Sequence, residues 1–147
     1  MVKPKELTRV NLWRLADVDR LFERLYSLSP PLAGGSPRHW VPEADVFETK
    51  NDLVIKMALA GVPRDRVKVV LDENAVVISG VREEEYEEEK DYYHQVEIEY
   101  GYFHRAIHLP RAVAADRCRA FYRDGFLFVV LPKAEQEVTI HTTIEIL

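Results

Sequence analysis

Residues 118–133 read Cys-Arg-Ala-Phe-Tyr-Arg-Asp-Gly-Phe-Leu-Phe-Val-Val-Leu-Pro-Lys, and this stretch decides the fold. At its centre stands Asp124-Gly125. The pair suits a two-residue hairpin because glycine, and less easily aspartate, takes the positive φ angles of a type I′ turn. The flanks, 118–122 and 126–131, are rich in aromatic and β-branched residues, so they read as two antiparallel strands. Residues 126–131 are apolar at every position, the pattern of a strand inside a protein rather than half in water. Pro132 ends the run, since proline has no N–H to give a sheet ladder.

Upstream the period of two recurs. Residues 46–49, 53–59, 67–71 and 75–81 are short alternating segments, with Leu53, Ile55, Met57 and Leu59 on one face of the second. Turn signals separate them at Lys50-Asn51-Asp52, at Ala60-Gly61-Val62-Pro63 and at Asp72-Glu73-Asn74. Strands this short and this evenly spaced predict an all-β sandwich or barrel. Residues 83–91 interrupt the pattern with seven acids against Lys90 alone. Such a run stays in water, so it reads as part of a long loop, with Tyr92-Tyr93-His94 as a short strand carried at its end. Residues 95–109 alternate again, with Gly101 marking a bulge or bend. Together with the opening hairpin this makes about seven strands.

The ends have a different character. Between residues 7 and 28, Leu15, Val18, Leu21, Phe22, Leu25 and Leu28 recur at spacings of three and four, one apolar stripe on a helix. The helix either packs on its own domain or offers that stripe to other chains. Residues 27–42 favour the second reading, because four prolines, Gly34-Gly35 and three serines have the composition of a spacer.

The chain has 147 residues, enough for one domain with a real core. It carries 20 basic against 25 acidic residues, a formal charge of −5. That balance speaks against a nucleic-acid partner. The acidic run accounts for a local −6, so the rest is close to neutral. Cys118 is the only cysteine, which rules out an internal disulfide and fits a reducing compartment. Without a signal-like segment or an apolar run long enough for a bilayer, the expected location is the cytoplasm.

Chemistry finds little support. His104 and His108 would lie about 13 Å apart on one strand, too far for a single ion. Cys118 between Arg117 and Arg119 is either an activated thiol or a small buried hydrophobe, and the second reading carries more weight. The serines sit in no nucleophile motif, and no glycine-rich phosphate loop is present. No catalytic residue, cofactor site or metal site is assigned, and the chain is not expected to be an enzyme.

Gly101-Tyr102-Phe103-His104-Arg105, Leu109-Pro110, Ala120, Asp124-Gly125-Phe126-Leu127 and Leu131-Pro132-Lys133 together resemble the α-crystallin domain of small heat-shock proteins. Ala60-Gly61-Val62, residues 76–82 and Glu97 extend the resemblance upstream, and Ile144-Glu145-Ile146 matches the family's C-terminal tripeptide. The departures are Ala60 for a proline, Phe126 for a valine and Ile98 for an arginine. The resemblance implies an N-terminal arm over 1–41, an immunoglobulin-like sandwich over 42–133 and an extension over 134–147. It implies an ATP-independent chaperone that holds unfolded clients, working as a large homo-oligomer of dimers. The dimer would form by strand exchange through Tyr92, Tyr93 and His94, with Arg105 meeting a carboxylate at the interface. Ile144 and Ile146 would dock in a groove of another subunit, between Val67, Val69 and Leu71 on one side and Cys118, Ala120 and Tyr122 on the other. Val138 and Ile140 are a second apolar pair. Leu12, Trp13, Leu15, Phe22, Leu25 and Tyr26 are the candidate client surface. Three alternatives stay open: the loop folding over its own domain, the tail forming an edge strand of its own domain, and a non-chaperone adaptor module that binds a folded partner.

Overall fold

The structure, a computed structural model, describes residues 39–135 and 141–147. The expected N-terminal helix, the client-binding positions from Leu12 to Tyr26, and Val138 and Ile140 lie outside the described residues. Eight strands form: β1 (Ala44–Glu48), β2 (Asp52–Ala58), β3 (Val67–Asp72), β4 (Ala75–Arg82), β5 (Gly101–His108), β6 (Arg119–Arg123), β7 (Phe126–Pro132) and β8 (His141–Ile144). They make two four-stranded antiparallel sheets, ordered β1-β2-β7-β6 and β5-β4-β3-β8. The sandwich expected from the alternation is therefore present, and the tail supplies its eighth strand.

Register explains why the core lies where it does. In β2 and β7, Leu53 faces Leu131, Ile55 faces Val129 and Met57 faces Leu127, all six essentially fully buried. Because side chains alternate along a strand, these pairs form one continuous inner layer. Val69, Leu71, Val76, Ile78 and Phe103 meet it from the second sheet. Trp40 joins this core as well. Its indole Nε1 donates to the Gly101 carbonyl at 2.9 Å, its ring meets Phe103 edge-on at 5.4 Å, and the Arg82 guanidinium lies 3.8 Å over it.

The hairpin has the predicted turn, with Asp124 at φ 51° and Gly125 at φ 82°. Its second strand differs from the expectation. Leu127, Val129 and Leu131 point inward, but Phe126 is 37% exposed and Phe128 half-buried. Strand β7 is thus a central strand of a sheet with one wet face. Its outward aromatics are sheltered by cross-strand neighbours: Phe121 stacks on Phe128 at 5.2 Å, and the Lys56 ammonium sits 4.2 Å over Phe126. Amphipathic cover of this kind lets a strand read as wholly apolar without being buried on both faces.

A second correction concerns residues 83–100. None of them belongs to a strand or helix, so Tyr92–His94 is not a strand here, and β5 begins at Gly101 rather than at residue 95. Gly101, at φ 114°, takes a conformation that few other residues tolerate, and the ladder starts there.

Gly80 fixes how closely the strands approach. It lies opposite Val67 on one side and Phe103 on the other. A Cβ at this position would collide with the Arg66 carbonyl oxygen and stand 2.8 Å from the Phe103 ring. Gly80→Ala should therefore overpack the sandwich and cost about 1–3 kcal/mol. The measurement is the urea midpoint at unchanged m-value, and a wild-type midpoint would show that β4 has room to shift.

Candidate functional site

Two features of the sandwich lie at its strand edges. The first is the groove between β3 and β6. Val69 and Leu71 are fully buried on β3, and Ala120 is fully buried on β6. Val67, Cys118 and Tyr122 are partly buried against the same core. All six predicted groove residues thus belong to or pack against one core cluster, with β3 and β6 as edge strands of the two sheets.

The chain's own tail fills that groove. Strand β8 pairs antiparallel with β3, placing Ile144 opposite Val69 and His141 opposite Asp72. Ile146 bridges to Ala120, and the Leu147 N–H donates to the Ala120 carbonyl at 2.8 Å. Ile144 and Ile146 are 5% and 8% exposed, while Glu145 between them faces solvent. Period-two alternation sends both isoleucines to one side of the extended tail and the glutamate to the other. His141 Nδ1 lies 3.0 Å from Asp72 Oδ1, a polar clip at the start of β8. The structure therefore presents the intramolecular arrangement, with the tail as an edge strand of its own domain.

The groove's polar atoms are unreactive. Burial, helped by nearby Asp116 and opposed by Arg117, pushes the Cys118 thiol up to about 11, and its Sγ donates to the Ala114 carbonyl at 3.3 Å. Burial alone pushes the Tyr122 hydroxyl up to about 12. Flanking arginines thus do not activate Cys118, because desolvation of the thiolate outweighs their attraction.

The second feature is the free edge of β1. Of the sheet edges, β5 is bridged by His39 and followed by Trp40, whose N–H donates to the Tyr102 carbonyl at 3.1 Å. The tail covers β3 and touches β6. Among the described residues no strand lies outside β1, where Val46 and Phe47 are each 43% exposed. The long loop is equally open: Tyr92, Tyr93, Val96 and Ile98 are all more than half exposed. Tyr92 and His94 contact edge to face at 5.0 Å, and the Tyr93 hydroxyl donates to Glu84 at 3.0 Å.

Within its own chain Arg105 binds a backbone carbonyl. Its Nη1 donates to the Pro42 carbonyl at 2.6 Å, fastening the chain just before β1. A backbone partner of this kind leaves no trace in a sequence. Phe126 and Phe128, which the all-apolar run places in the core, instead form an aromatic outer face with Phe121.

Known proteins resemble this chain in sequence and fold. A family model described as the Hsp20/alpha crystallin family matches residues 45–147. The "Small heat shock protein C2" of Rickettsia felis is similar at 27% identity over 94% of this chain and 91% of its own length. The "Heat shock protein 16" of Schizosaccharomyces pombe is similar at 35% identity, covering 83% of this chain and 87% of that protein. Among solved structures, the hspA of Xanthomonas axonopodis superposes with a TM-score of 0.58 at 34% identity, over 64% of this chain and 94% of that one.

The shielding of Cys118 has a direct consequence. An alkylating reagent should label it slowly at pH 7.5 and faster as the pH rises toward 11, where the thiolate forms. Rapid labelling at neutral pH, read by mass spectrometry, would contradict the buried placement.

Proposed function

The chain belongs to the Hsp20/α-crystallin family of small heat-shock proteins, a family of stress-response chaperones; from that premise we propose that it is an ATP-independent holding chaperone of the cytoplasm. It binds partly unfolded proteins through apolar surface and works as a homo-oligomer built from dimers.

The observation that carries this reading is the tail seated in the β3–β6 groove. Two isoleucines and a four-residue ladder hold it, with no covalent tie. Burying two such side chains contributes roughly 1.5–3 kcal/mol each, and ordering the tail removes part of that. A contact of that size is reversible. When the tail leaves, Val69, Leu71 and Ala120 become an apolar slot that accepts either another subunit's tail or a client segment. Exchange of tails between subunits then links dimers into larger assemblies without new surface on the domain.

The dimer itself forms at the open edge of β1. Residues 92–94 of one subunit add to β1 of another, their main-chain groups completing the ladder that β1 leaves unfinished. The apolar positions of the N-terminal arm, Leu12, Trp13, Leu15, Phe22, Leu25 and Tyr26, supply client surface. Unfolded clients share exposed hydrophobes rather than a sequence, so surface of this kind suits them.

Native mass and suppression of a model client's heat aggregation, measured for the full chain and for a chain cut after Lys133, test the reading together. The full chain is expected to form a large oligomer and to suppress aggregation, and the cut chain to fall to dimers. A full chain that is monomeric and without effect would refute the proposal, and a cut chain of full size would remove the tail from assembly.

A further inference from the structure

At the end of the sheet where β1 turns into β2 lies a basic cleft, which spans from that turn to the start of β6 on the sheet's other edge. The turn contributes Lys50, the connection from β5 to β6 contributes Arg111 and Arg117, β6 begins with Arg119, and Lys133 follows β7. The cleft encloses about 670 Å³, with Asp52 and Glu135 as its acidic lining. Glu48, the last residue of β1, forms ion pairs with Arg111 at 3.5 Å and Lys133 at 3.9 Å. Lys50, Arg117 and Arg119 are exposed, and their side chains make no hydrogen bond or ion pair among the described residues. A chain of formal charge −5 thus gathers unneutralised cations at one place.

The matching anions lie on the loop. Glu83 is engaged by Arg66 at 2.9 Å, and Glu84 by Lys90 at 3.2 Å. Glu85, Glu87, Glu88, Glu89 and Asp91 are exposed and have no such partner among the described residues. They immediately precede Tyr92.

We propose that the cleft receives this acidic segment from a second copy of the chain, and that their attraction sets the direction in which the loop's strand adds to β1. The inference rests on the strand addition proposed above. If Tyr92 and His94 run antiparallel to β1, lower loop numbers lie against higher β1 numbers. At about 3.3 Å per residue, Glu87 to Glu89 then extend just past Glu48 and over Lys50. In the parallel direction the same acids would extend past Ala44 toward Glu43, and like charges would oppose. The cleft therefore rewards one direction and one register of an otherwise sequence-tolerant main-chain pairing, which is where electrostatic complementarity acts most strongly.

Reciprocal charge reversal in the full chain tests this. One variant carries Lys50→Glu, Arg117→Glu and Arg119→Glu, and the other carries Glu87→Lys, Glu88→Lys and Glu89→Lys. Each alone should weaken pairing about tenfold or more at low salt, because both of its interfaces become repulsive. An equimolar mixture should restore pairing as mixed dimers, visible by native mass spectrometry, because each loop then meets a cleft of opposite sign. Wild-type pairing should itself weaken as salt rises from about 0.05 to 0.5 M. Variants that pair as well as wild type, or wild-type pairing indifferent to salt, would overturn the inference. Tyr93→Pro separates this from the underlying reading, since proline removes a ladder donor at any salt. If that variant dissociates while charge reversal has no effect, strand addition stands and the cleft's role falls. If Tyr93→Pro pairs normally, strand addition falls and the inference with it.

Discussion

An open β-sandwich has strand edges, and each edge offers unpaired main-chain donors and acceptors to whatever strand comes by. Here those edges are met by short, noncovalent segments taken from the ends of the domain. His39 and Trp40 lie against β5, β8 lies against β3, and the last two residues reach Ala120 on β6. Only β1 is left without cover among the described residues. The groove, the tail and the open edge are all consequences of that one geometric constraint. A closed barrel built from the same strands would have none of them.

The scale of the interactions decides which parts can move. The inner layer between β2 and β7, closed by Val76, Ile78 and Phe103 from the other sheet, contains side chains with essentially no exposure. Each is worth about as much as either tail isoleucine, and they are many. Release of β8 therefore removes a small share of the buried apolar area and leaves the sandwich intact. Trp40 belongs with the fixed part, since the Gly101 carbonyl, Phe103 and Arg82 hold its ring from three directions. The base of the long loop is anchored at the same point: Arg82 Nη1 also donates to the Glu99 carbonyl at 3.0 Å. The loop therefore leaves the domain from a fixed base.

Much of this was legible in the sequence because it is local. Alternation gave β1 to β4 within two residues, and Asp124-Gly125 gave the hairpin with its positive φ angles. Ile144 and Ile146, two apart, foretold a one-sided tail, and both are buried with Glu145 exposed between them. What could not be read depends on partners far along the chain. Arg105 finds a carbonyl 63 residues away, and a carbonyl is offered by every residue. Phe126 reads as core until Lys56, from a neighbouring strand, is seen to cover it. Tyr92 and His94 have the composition of a strand, but a strand needs a ladder, and a single chain supplies none there. The basic cleft is the extreme case, since four separated segments contribute to it and none alone looks basic.

The charges around β1 resolve a difficulty that an open edge creates. An edge able to accept any strand would aggregate, and proteins commonly guard such edges with charged side chains. Strand β1 carries Asp45 and Glu48, with Glu43 just before it, so the edge is acidic along its length. That acidity repels generic acidic segments, and it also opposes the chain's own loop, which is the most acidic stretch in the sequence. On the strand addition proposed above, the loop meets an edge of its own sign and needs a compensating field beyond that edge. Arg111 and Lys133 neutralise Glu48, and Lys50, Arg117 and Arg119 lie in the cleft beyond it with their charges unspent. On that pairing, repulsion along the strand and attraction at its end together favour a segment whose acids precede residues 92–94, as Glu85, Glu87, Glu88, Glu89 and Asp91 do.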